Sequence, residues 1–151
     1  MSEDELIAAL QRGTLPAEAL THAEHVRLAW ACLRRLPLLC ALSEFRRLLI
    51  GFANHHEKPN LYHETVTFAS LLLVYERMAR NPAITDWERF ARQNSDLLSW
   101  RNGPFFEFYR ANVLTDRLAR FCFVLPESAD SPRSAALGRR ELRDPEVCSD
   151  A

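Results

Sequence analysis

The segment YHETVTFASLLLVYERMAR, residues 62–80, constrains the fold more than any other part of the chain. Between Val66 and Tyr75 it is apolar almost all round, too long for an ordinary strand and free of proline and glycine. It therefore predicts a helix buried on most of its sides. Elsewhere apolar residues recur every three or four positions, and no run alternates with a period of two before the tail. The pattern predicts an all-α fold: a single-domain irregular helical bundle with a central apolar helix. At 151 residues the chain suits one compact domain.

Punctuation residues mark the other helices. Ser2 with Glu5 forms a capping-box pattern opening a short amphipathic helix, with Leu6, Ile7 and Leu10 on one face and a stop at Gly13. Residues 1–16 are expected to form a loosely attached helical arm, whose uncovered apolar face would suit partner docking. Residues 17–126 are expected to form the bundle core. Within it, Thr21 with Glu24 starts a helix running to about Leu36, and Pro37 starts the next, which reaches Asn54 with Leu38, Leu42, Phe45, Leu49 and Phe52 on its apolar face. The loop HHEKPN leads into the central helix from about Leu61. Thr85 with Glu88 caps a further helix, and a last one is expected from Thr115 to Val124. Residues 127–151, rich in Ser, Ala, Arg, Asp and Glu, read as a flexible tail.

Composition excludes some functions. A formal charge of −1 gives no reason to expect nucleic acid, which calls for a basic face. No apolar run reaches the length of a membrane span, and the acidic start MSEDELIAAL does not resemble a secretion signal. Cys32, Cys40, Cys122 and Cys148 form no C-x-x-C pair, and the first three sit in apolar runs, so buried reduced thiols in a cytoplasmic protein are expected.

The five histidines, His22, His25, His55, His56 and His63, all fall in the first 63 residues. His22 and His25 share a helix face with Ala29, Cys32 and Leu36. A proline-marked corner between two helices of similar length predicts an antiparallel hairpin, which returns His55 and His56 to the end where His22 and His25 began. His63 starts the central helix at that same end. Convergent imidazoles suit a divalent transition metal such as Zn, Fe, Cu or Ni. The expected ligands are His22, His25 and His63, with His56 or His55 as a fourth. Glu64 is the candidate general base, with a favourable first-turn charge as its simpler role. Tyr62, Thr67, Ser70 and Arg27 are expected to line a substrate pocket. Tyr62 and Trp30 also fit as ordinary core aromatics, and Thr67 and Ser70 as residues bonding back to their own helix. The expected function is metal-dependent action on a small molecule, with hydrolytic and oxidative chemistry undistinguished. Two helix N-termini with Arg27 would instead bind an organic anion, in a non-catalytic or protein-interaction module.

HAEHVRLAW and YHETVT resemble the two signature segments of a family of small, uncharacterised bacterial proteins, with patterns H-x-x-H-[LV]-R-x-A-W and Y-H-E-T-[IV]-T. TDRLARFCFVLP is similar to that family's C-terminal segment, so the likeness spans roughly Thr21 to Pro126. The resemblance implies attention to His22, His25, Tyr62, His63, Glu64 and Thr65, and to Asp116 and Arg120, which an ordinary helix ion pair would also explain. It implies no particular activity.

Overall fold

The computed structural model describes residues 1–126. Among them lie seven α-helices joined by loops and 3-10 turns: α1 (Glu3–Arg12), α2 (His22–Arg35), α3 (Leu38–His55), α4 (Glu64–Arg80), α5 (Trp87–Gln93), α6 (Phe105–Phe108) and α7 (Arg117–Phe121). No strand occurs among the described residues, and the chain is an all-α bundle. The expected flexible tail and Cys148 lie outside the described residues.

Local chemistry sets the helix starts. The Thr21 hydroxyl accepts from the Glu24 amide to begin α2, and Pro37 supplies the extended corner before α3. Asp86, rather than Thr85, caps α5, its carboxylate accepting from the Arg89 amide at 2.8 Å. The central helix begins at Glu64 and not near Leu61, because Pro59–Leu61 form a 3-10 turn and Tyr62 is extended. His63 is its N-cap.

α4 packs against α2, α3, α6 and α7. Leu71 and Val74 are fully buried, while Leu72 and Tyr75 look outward at 37% and 43% exposure. The helix is thus central but open along one side. The N-terminal segment is not a loose arm. Leu6 and Leu10 are buried in the same core as Phe45 and Leu71, and Glu3 and Asp4 pair with Arg27 and Arg35 of α2. Burying those leucines removes the face expected to dock a partner.

α7 is shorter than expected. The chain beyond it is extended, and Thr65 holds it: the threonine hydroxyl donates to the Cys122 carbonyl at 2.9 Å and accepts from the Val124 amide at 3.1 Å. Of the three described cysteines only Cys32 is buried, and burial pushes its thiol up to about 12. Cys40 and Cys122 are exposed, so an apolar neighbourhood in sequence did not bury them. No described helix is long and apolar enough to cross a membrane.

Candidate functional site

The hairpin does bring the end of α3 back toward the connection between α1 and α2. There His56 Nε2 donates to the Leu15 carbonyl at 2.9 Å, and His55 stands edge-on to His56 with ring centroids 5.2 Å apart. Each remaining histidine serves a different carbonyl. His22 Nε2 lies 2.9 Å from Leu97 O, His25 Nδ1 lies 2.9 Å from Thr21 O, and His63 Nε2 lies 3.1 Å from Val113 O. A carbonyl can only accept, so each of these nitrogens carries its proton, and the other ring nitrogen holds the lone pair.

For His63 that second nitrogen is also committed. Its Nδ1 accepts from the Val66 amide at 3.4 Å, which makes the imidazole a helix cap satisfied on both sides. Burial drives the pKa values of His22, His25 and His63 below the ordinary histidine value, so all three favour the neutral form.

The expected metal set of His22, His25, His56 and His63 is therefore not assembled. Among the described residues no three His, Cys, Asp or Glu side chains are grouped so as to hold an ion. The physical reason is competition: each imidazole has a nearby carbonyl to satisfy, and His63 has no lone pair left over. His22 and His25, three residues apart on α2, each keep one uncommitted ring nitrogen, Nδ1 and Nε2 respectively.

Glu64 occupies a different arrangement. Its side chain is 12% exposed, and both carboxylate oxygens accept from Arg46 Nε, at 3.0 and 3.1 Å. The Tyr62 phenol donates to Oε2 at 2.5 Å. Burial, then the hydrogen bond to Glu64, holds the phenol's pKa well above its usual value, so it stays a donor. Thr67 is buried close to the phenol. The expected roles of Tyr62 and Glu64 thus meet in one network, although the carboxylate serves as an anchor and not as a free base.

Arg46 was not visible as a site residue. It follows the core residue Phe45 and reads as solvent-facing, yet it lies three residues from buried Leu49, on the margin of the stripe. Nε is spent on Glu64 and the guanidinium carbon lies 6.0 Å from the centre of the Tyr62 ring, while neither terminal amine makes a hydrogen bond among the described residues and the side chain is 46% exposed.

The other expected pocket residues go elsewhere. Arg27 is tied to Glu3 at 2.7 Å and sits over the Trp87 ring, outside any histidine group. Ser70 does join His22, at a crevice of about 20 Å³ also bordered by Trp100 and Phe105. That is room for about one water. Trp30 is a core aromatic against Trp87 and Phe90. Asp116 and Arg120 form no ion pair with each other: Asp116 caps α7, and Arg120 donates to the carbonyls of Asn60, Tyr62 and Leu114. Arg120 thereby fixes the turn that carries Tyr62 into α4. No family model, no curated protein and no solved structure matches the chain.

Proposed function

We propose that the protein binds a small carboxylate-bearing molecule on the outer face of Arg46, as a non-catalytic binding module. One observation carries this reading: a buried carboxylate grips the arginine through Nε and leaves its terminal amines open. A guanidinium so held is a planar pair of donors already oriented for a bidentate partner. The entropy of ordering a long side chain is then met in folding and not in binding. Tyr62 assists by fixing Glu64, and Arg120 by fixing the Tyr62 carbonyl. Tyr62 and Glu64 belong to the YHETVT segment on which the family resemblance rests. The free thiols suit a reducing compartment, and we take the cytoplasm as the location.

Calorimetric titration with a panel of small mono- and dicarboxylates tests the reading. Wild type is expected to bind at least one member saturably. Arg46→Lys, which keeps charge but loses the planar fork, is expected to bind at least ten-fold more weakly. Equal affinity of Arg46→Lys and wild type would contradict it.

A metal-dependent enzyme is the second reading, carried by the uncommitted ring nitrogens of His22 and His25, three residues apart on α2. Two imidazoles are half of a site for zinc or a similar ion, and the exogenous molecule would have to complete it. Elemental analysis of untagged protein decides between the two. Stoichiometric metal that disappears in His25→Ala, with helical circular dichroism unchanged, favours this second reading.

A further inference from the structure

A second feature lies on another face of α3. Between the end of α1 and α3 is a cleft of about 200 Å³ walled by Gln11, Arg12, Gly13, Arg47, Gly51 and His55. On the measure by which the crevice beside His22 admits about one water, this cleft has room for a phosphate group and part of the molecule attached to it.

Charge is the first pointer to a ligand. Arg12 has no acidic partner among the described residues. Arg47 gives Nε and Nη2 to Glu44, at 2.8 and 2.7 Å, which leaves Nη1 unassigned. Glu44 also accepts from Gln11 at 3.5 Å, so its carboxylate is already occupied. The His55 side chain makes no hydrogen bond among the described residues and its ring lies against Gly13.

Gly51 is the second, independent pointer. It sits inside an eighteen-residue helix, where glycine costs about 1 kcal/mol relative to alanine. A Cβ built there meets nothing within 4 Å, so neither packing nor backbone conformation demands a glycine. Gly13 differs, because its positive φ of 66° and its contact with His55 both require one. What Gly51 does provide is open space on the wall of the cleft, room that a large side chain there would take up.

We infer that this cleft is a binding site for a phosphate monoester, held by Arg12 and Arg47 with Gln11 and His55 at its edge. Basic side chains border it from two elements, the end of α1 and the side of α3, as suits an oxyanion that accepts on several of its oxygens. The site is separate from Arg46, since adjacent residues point roughly 100° apart around a helix.

Titration of the full chain with inorganic phosphate and with ribose 5-phosphate, at low ionic strength and followed by amide NMR, tests the inference. Saturable binding of at least one probe is expected, with the largest shifts at Gly13 and Gly51. Arg12→Gln and the space-filling Gly51→Leu are each expected to weaken it at least ten-fold, while Arg46→Gln leaves it unchanged. Gly51→Leu should fold at least as stably as wild type, so its loss of binding reports occlusion. No saturable binding of either probe, wild-type affinity in Gly51→Leu, or binding abolished by Arg46→Gln would each overturn the assignment.

Discussion

Arg46 and Glu64 meet across α3 and α4 with one guanidinium nitrogen, Nε, 3.0 and 3.1 Å from the two oxygens of a single carboxylate. The pair is lopsided: Glu64 is buried to 12% exposure and Arg46 is 46% exposed. Removing the arginine therefore strands a buried anion, whereas removing the glutamate releases a cation into water. Arg46→Ala is expected to cost about 1–2 kcal/mol, toward the low end of such losses because water can reach the site. The double variant Arg46→Leu with Glu64→Leu is expected to lose less than the sum of the two single leucine variants. Urea denaturation of the set measures both.

Acid should destabilise the fold through its histidines. His22, His25 and His63 have folded-state pKa values depressed below the ordinary value of 6.5, chiefly by burial. As pH falls through 6.5 the unfolded chain takes up protons that the folded chain refuses, so stability declines until the depressed folded values are passed. Above 6.5 this contribution is complete. The urea midpoint is expected to be level from pH 8 to 7 and to drop between pH 6.5 and 5. A midpoint that rises on acidification would show that the imidazoles fold as cations.

The two helix-associated glycines should respond to alanine in opposite directions. At Gly13 a Cβ would stand 2.5 Å from His55 Nδ1 on a backbone of positive φ, so Gly13→Ala is expected to cost about 1 kcal/mol or more. At Gly51 the space is empty and the helix gains propensity, so Gly51→Ala is expected to stabilise by about 0.5–1 kcal/mol. Thermal or urea melts of the two variants check the sign of each.

Thr65→Val should free the chain beyond α7. The hydroxyl is fully buried and holds Cys122 O and Val124 N together. Valine keeps the volume but strands both backbone groups, at a cost of about 1–3 kcal/mol. Amide exchange at Val124 should accelerate well beyond that of the core of α4. Unchanged protection there would mean that the packing of Phe123 on Phe68 is sufficient to hold the segment.

The architecture was legible where it depends on local chemistry and on length. Ser2, Thr21, Pro37 and the apolar run of α4 each mark a boundary or a face, and the structure has helices there. The return of α3 toward the start of α2 follows from the Pro37 corner, as the His56 bond to Leu15 shows. What each imidazole would bond to was not legible. The partners of His22 and His63 are carbonyls 75 and 50 residues away, in 3-10 turns that no periodicity announces. Arg46 was hidden for a related reason: its role comes from the crossing of α3 and α4, which places Glu64 beside a residue that sequence pattern alone assigns to solvent.

The most direct test of the account observes the Arg46 side chain itself, by NMR of its Nε–H group in wild type and in Glu64→Gln. A slowly exchanging Nε–H that loses protection in Glu64→Gln, with terminal-amine signals that shift when a binding carboxylate is added, is the predicted result. An Nε–H that exchanges rapidly in wild type, or that is indifferent to Glu64→Gln, would contradict the claim that a buried carboxylate holds this arginine ready.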